Sequence, residues 1–81
     1  MQSLKGSNKV IGIKQSRKAL KEKRVEHAYI ASDAQAHVTA PILELCKQVE
    51  VAYTMVQSMA ELGAACGIDV GAAVVVVLKE V

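Results

Sequence analysis

Few side chains in this sequence could start nucleophilic or metal chemistry. Cys46, Cys66, His27 and His37 are the candidates. A nucleophilic site needs a Cys or Ser converging with a His and an orienting acid. The spacing of these four residues leaves a Cys–His pair open but gives it no support. CxxC and His-x3-His spacings are absent, so no metal set is expected. Both cysteines read as buried small hydrophobes, and a disulfide across their 20-residue gap is the less favoured reading. His27 opens a strand and His37 sits beside a helix start, and both read as surface or structural side chains. Gly63, Gly67 and Gly71 are spaced by four, which fits a helix end and a tight turn. Gly12-Ile13-Lys14 is not a phosphate-binding P-loop.

The strongest local feature is the strand-to-helix junction at Gly12, followed by Lys14, Gln15, Arg17, Lys18 and Lys21. Lys14, Lys18 and Lys21 stand at i, i+4 and i+7, so they share one helix face. A helix start presents backbone N–H groups and a partial positive charge, which suit phosphate oxygens. Lysine and glutamine can also reach base edges, lysine donating to guanine O6 or N7. Charge across the whole chain points the same way. Met1–Glu26 holds eight basic and two acidic residues, a formal +6, and His27 onward is formally −4. Such asymmetry fits a surface for a polyanion, or a basic solvated helix face.

Those residues need a scaffold, and the length allows one small domain spanning 1–81. Hydrophobic residues make up 52% of the chain and charged residues 22%, a globular composition. Phe and Trp are absent, so the core must come from Val, Ile, Leu and Ala. Lys9–Ile13 reads as a strand, Lys14–Lys23 as a helix and His27–Ser32 as a second strand, with a turn at Asp33–Gln35. Val38–Val49 reads as a helix whose Ile42, Leu45, Cys46 and Val49 share a face. Pro41 is expected in its first turn, with Thr39 or a neighbour as cap. Val51–Val56 reads as a third strand. Ser58 and Glu61 form a capping-box pattern that opens a helix running to about Ala65 and ending near Gly67. Ala72–Leu78 is apolar throughout and should be a central strand buried on both faces. Strands alternating with helices argue for a layered α/β domain. The longest apolar run has seven residues, against the roughly 18–20 a membrane helix needs. A basic-then-apolar signal pattern is not seen at the N-terminus, so a cytoplasmic protein is the expectation.

Two stretches carry a family resemblance. Gly12-Ile13-Lys14-Gln15-Ser16-Arg17-Lys18-Ala19-Leu20 resembles the RNA-reading motif of the L-seven-Ae and L-thirty-e ribosomal protein superfamily. Leu62-Gly63-Ala64-Ala65-Cys66-Gly67-Ile68-Asp69-Val70-Gly71-Ala72-Ala73 resembles its second motif, a helix end followed by a short apolar loop. Tyr29–Asp33 and Leu45-Cys46 are similar to the segments between them. The likeness runs from Val10 to Leu78, and the short length is most similar to bacterial members. The resemblance implies a three-layer α/β/α sandwich with a central mixed four-stranded sheet. It implies binding to kink-turn RNA, a duplex bent at a bulge beside tandem sheared G·A pairs. Lys14, Gln15 and Lys18 would then meet those guanines and nearby backbone, and Gly12 would allow close approach. Ile68, Asp69, Val70 and Gly71 would form the loop that packs on the extruded nucleotide. The archaeal form has Asn-Glu where this chain has Lys14-Gln15, and an acidic residue where it has Ser32.

The expected activity is therefore non-enzymatic recognition of a kink-turn in ribosomal RNA, a riboswitch or another structured RNA. Arg17 and Lys21 would join the lysines in neutralising phosphates. No cofactor, metal or membrane is called for, and a monomer, with or without ribosome association, is the simplest state. Two alternatives remain at this level. One is a protein-interaction module on the same fold, docking a partner through Ile68–Val70. The other is an enzyme using Cys46 or Cys66.

Overall fold

A run of five aliphatic residues, Val74–Leu78, cannot leave either of its faces in water without a large loss of apolar burial. The computed structural model, which describes residues 8–79, places this run inside the sheet. In chain order the elements are β1 (Lys9–Ile11), α1 (Ile13–Lys21), β2 (Val25–Ala31), α2 (Ala36–Gln48), β3 (Ala52–Val56), α3 (Met59–Ala65) and β4 (Val74–Leu78). The strand order is β1-β4-β2-β3. β4 runs antiparallel to both β1 and β2, and β2 runs parallel to β3, so the sheet is mixed.

Alternation along β4 divides the core in two. Val74, Val76 and Leu78 pack with Ala19 and Leu20 of α1, Ala28 and Ile30 of β2, and Ile42 and Cys46 of α2. Val75 faces the other way and packs with Ala31, Val56, Leu62, Cys66 and Ala72 beneath α3. The result is an α/β/α sandwich with α1 and α2 on one face and α3 on the other. The side-chain period of two sends neighbouring valines into different cores.

All three helices end in the same way. Lys23, Glu50 and Gly67 have φ of 58°, 59° and 78°. In each case this residue and the next donate N–H groups to carbonyls of the last helical turn, as in Arg24 to Ala19 at 3.1 Å, Val51 to Cys46 at 2.9 Å and Ile68 to Gly63 at 3.1 Å. This is the Schellman arrangement, which uses a left-handed residue to satisfy orphan carbonyls. Only the third uses glycine. The first two stops therefore carried no sequence signal, and the expected helix to Lys23 ends at Lys21 instead.

Other boundaries also moved. Gly12, at φ 114°, breaks the expected Lys9–Ile13 strand after Ile11, and Ile13 opens α1. β2 begins at Val25, two residues before the expected start, with a bulge between Val25 and His27. β4 begins at Val74, and Ala72 and Ala73 belong to the preceding loop. The expectation for Pro41 is corrected. α2 starts at Ala36, because the N–H groups of Val38 and Thr39 both donate to the Gln35 carbonyl, at 2.9 and 3.2 Å. Pro41 thus falls in the second turn, and Thr39 is inside the helix, its hydroxyl directed back to the Gln35 carbonyl at 3.5 Å. The carbonyl that loses its donor to the proline belongs to His37, which is exposed, so water can serve it.

Candidate functional site

Backbone hydrogen bonds gather four connections at one end of the sheet. Gly12 N–H donates to the Val74 carbonyl at 3.1 Å, Ala31 N–H to Ala73 at 2.9 Å, and Ser32 N–H to Val56 at 2.7 Å. The C-terminal ends of β1, β2 and β3 thus meet the N-terminal end of β4. The start of α1, the β2–α2 turn, the start of α3 and the loop entering β4 all emerge there.

The first component is the start of α1. Its first intrahelical bond runs from Ser16 N–H to the Gly12 carbonyl at 3.0 Å. The N–H groups of Ile13, Lys14 and Gln15 therefore have no acceptor within the helix. No side chain caps this end, and no acid lies in the first turn. The helix is amphipathic: Ser16, Ala19 and Leu20 are buried, and Lys14, Gln15, Arg17, Lys18 and Lys21 are exposed. At 100° per residue Lys14, Lys18 and Lys21 span a narrow arc, with Arg17 beside it. None of these four cations has an acidic partner within ion-pair distance among the described residues, where the recorded pair is Arg24–Glu22 at 3.1 Å. A Cβ placed on Gly12 would meet nothing within 4 Å, so open space lies against its backbone. Lys21 is the outlier, about 12 Å along the axis from Ile13 at 1.5 Å per residue.

The second component is the loop 68–71. Ile68 is half-buried against the α3 core, while Asp69, Val70 and Gly71 are exposed. Val70, at 69% exposure, is the most exposed large apolar side chain among the described residues. The loop's backbone is nonetheless tightly held. A Cβ on Gly63 would collide with the Val70 carbonyl oxygen and lie 3.1 Å from its carbon. A Cβ on Gly71 would lie 3.1 Å from the Met59 Cβ. Ala72 N–H donates to the Met59 carbonyl at 3.0 Å. Three residues separate Val70 from Val74, which holds the Gly12 N–H, so the Val70 backbone lies within about 14 Å of that strand end.

Sequence reasoning missed one long-range contact beside the second component, at the start of α3. The Asp33 carboxylate accepts the Met59 N–H at 2.8 Å across 26 residues of chain. No local pattern announces such a bond: Asp33 read as part of a turn and of the Tyr29–Asp33 stretch similar to the family, with no partner assigned. Ser58 does cap α3 as expected, its Oγ accepting the Glu61 N–H at 3.0 Å.

The thiols and histidines form no joint site: His27 lies near the start of β2, His37 is exposed in the first turn of α2, and the two cysteines are buried. Cys46 and Cys66 are free and lie in the separate cores on opposite faces of the sheet. Burial pushes both thiols above their ordinary value of 9.0, and the nearby Lys9 charge partly opposes this at Cys66. Neither is thereby activated as a thiolate. His27 Nε2 and Thr54 Oγ1 share a 2.7 Å hydrogen bond, and the His27 ring lies 4.8 Å from that of Tyr29. Among the described residues no three potential metal ligands cluster, and no helix is long and apolar enough to cross a membrane.

Comparison with known proteins adds a family context. The profile of the "Ribosomal protein L7Ae/L30e/S12e/Gadd45 family" matches residues 1–81. An RNA-binding protein of Caldanaerobacter subterraneus is 45% identical over 65 residues, which cover 80% of this chain and 79% of that one. An RNA-binding protein of Bacillus pumilus is 44% identical over 69 residues, 85% of this chain and 84% of that one. The structure of the Giardia lamblia 15.5kD RNA binding protein superposes with a TM-score of 0.84 at 24% identity. It covers 90% of this chain and 62% of that one, and it supports the fold alone.

Proposed function

The chain belongs to the ribosomal protein L7Ae/L30e/S12e/Gadd45 family, and from that premise we propose that it is a non-enzymatic RNA-binding protein that recognises and stabilises kink-turns. The observation that carries the reading is the shared placement of two unlike surfaces. A basic helix start without a cap and an exposed apolar loop stand at one end of the sheet.

Each surface matches a different part of a kinked duplex. An undistorted A-form major groove is too deep and narrow for side chains to read, whereas a kink opens it. Lys14, Gln15 and Lys18 then reach guanine edges and phosphates, with Arg17 and Lys21 adding charge along the backbone. The open space at Gly12 lets the RNA approach the main chain. Val70, with Ile68, offers apolar area to an unstacked base, a contact that a binder of phosphates alone would not need. Stabilisation of the kink follows if the kinked state is bound more tightly than the extended one. The same reading has the protein working as a cytoplasmic monomer, on the ribosome or on another structured RNA.

The test is a titration at two salt concentrations. One ligand is a kink-turn hairpin, and the other is the same hairpin with its sheared G·A pairs converted to Watson–Crick pairs. Tight binding to the first with a large loss on the second is expected. Equal, strongly salt-dependent binding to both would reduce the activity to polyanion contact. Absence of binding to either would transfer the loop to a protein partner.

A further inference from the structure

We infer that Asp33 is a positioning residue for the apolar loop 68–71, acting through the peptide groups of Met59. Its consequence for binding rests on the kink-turn reading above; the pin itself does not.

Met59 is gripped from two sides. Its N–H goes to the Asp33 carboxylate at 2.8 Å, and its carbonyl takes the Ala72 N–H at 3.0 Å. Gly71 packs on it so closely that an added Cβ would stand 3.1 to 3.4 Å from Met59 Cβ, C and O. Asp33 itself stands on anchored backbone. The preceding Ser32 N–H bonds Val56 of β3 at 2.7 Å, and Ala34 N–H returns to Ala31 at 3.3 Å. A line of contacts thus runs from the sheet through Asp33 and the first residue of α3 to the far end of the loop.

The near end of the loop is held separately, by Ile68 N–H on the Gly63 carbonyl at 3.1 Å. Residues beyond Ala72 are held by the sheet, through Ala31 N–H on Ala73 and Gly12 N–H on Val74. Release of Asp33 should therefore loosen one segment only. Met59 opens the helix, and its N–H has no intrahelical acceptor. Without Asp33 the first turn frays, the Met59 carbonyl shifts, and Ala72 loses its acceptor. Val70 then samples more positions and meets an extruded base less often. The lysine face of α1 lies on the opposite side of the sheet and is untouched.

Backbone amide exchange on the full chain reads the pin without RNA. In Asp33→Ala the Ala72 N–H should exchange about tenfold faster, the size expected for one lost charge-assisted hydrogen bond. Val75 and Val76 should stay protected, which reports an intact sheet. Asp33→Asn keeps an acceptor oxygen in place and should restore slow exchange. Asp33→Glu displaces the oxygen by one methylene and should resemble the alanine variant, which keeps the test open if the alanine variant does not fold. Unchanged Ala72 exchange in both the alanine and glutamate variants would overturn the inference.

The binding arm compares a kink-turn hairpin with the same hairpin carrying an abasic residue at the extruded position. Wild type and Asp33→Asn should lose affinity on the abasic RNA, and Asp33→Ala should bind both about equally. All three should still prefer sheared G·A pairs over Watson–Crick pairs. A full abasic penalty in Asp33→Ala, despite faster exchange, would overturn the positioning role. If wild type showed no preference for sheared pairs, the kink-turn reading would fall, while faster Ala72 exchange would still support the pin.

Discussion

The carbonyl group of Val70 occupies the space into which a side chain at Gly63 would project. The helix α3 and the loop that follows it are therefore in backbone-to-backbone contact, and the loop's path depends on a missing methyl group. Gly63→Ala must push the loop away or distort α3. Overpacking of this kind costs about 1–3 kcal/mol. Urea unfolding should show that loss, and binding of a kink-turn hairpin should weaken as well, because Val70 moves with its carbonyl. An alanine variant as stable as wild type would contradict the packing.

Removal of charge on α1 should separate binding from folding. Lys14 and Lys18 are exposed and make no ion pair among the described residues. The variants Lys14→Ala and Lys18→Ala should unfold at the wild-type urea concentration. Each should weaken RNA binding, and each lost phosphate contact should reduce the slope of log K against log salt by about 1. A double variant binding like wild type would show that this face is not the one used.

Two valines five residues apart should respond oppositely to the same change. Val70 is 69% exposed and Val75 is wholly buried. Val70→Asp should keep the fold and lose affinity, since a carboxylate replaces the apolar surface and repels phosphate. Val75→Asp should not fold, because a charge without a partner would enter the core beneath α3 at a cost comparable to the stability of a small domain. Circular dichroism on both variants checks the pair.

The buried thiols make stability fall in alkali. In the unfolded chain each ionises near its ordinary value of 9.0, and in the folded chain burial raises that value. Above pH 9 the unfolded state then binds fewer protons than the folded state. The thiols' contribution is complete below that pH and declines as pH rises toward the folded value, by at most about 1.4 kcal/mol per pH unit for each thiol. Urea unfolding of wild type and Cys46→Ala between pH 7 and 10 should show a shallower decline in the variant. Equal slopes would mean that Cys46 ionises alike in both states.

The glycine and non-glycine helix stops show what a sequence can announce. Gly67 marks the end of α3 because glycine reaches positive φ without steric cost, and the Ser58–Glu61 pattern marks its start. Lys23 and Glu50 adopt nearly the same conformation with no such sign. There the hydrogen bonds of the last turn and the packing that follows outweigh a local preference of about 1–2 kcal/mol. The same competition shifted α2: Pro41 marks a first turn by preference, but the helix had already begun at Ala36.

The sequence by itself determined the elements whose cause is local. The apolar run Ala72–Leu78 had to supply a strand covered on both faces, which Val74–Leu78 forms, and the strand–helix alternation required a layered sheet. The spacing of Lys14, Lys18 and Lys21 set a basic face on α1, because helical periodicity is a property of the backbone. Only the tertiary structure decided that this helix start and the 68–71 loop stand at the same end of the sheet. That end is assembled by bonds such as Gly12 to Val74 and Ser32 to Val56, between residues far apart along the chain. Asp33 is the sharpest case: its carboxylate acts 26 residues away. A local pattern carries information about residues a turn or a pleat apart, whereas a contact closed by strand pairing exists only once the sheet has formed.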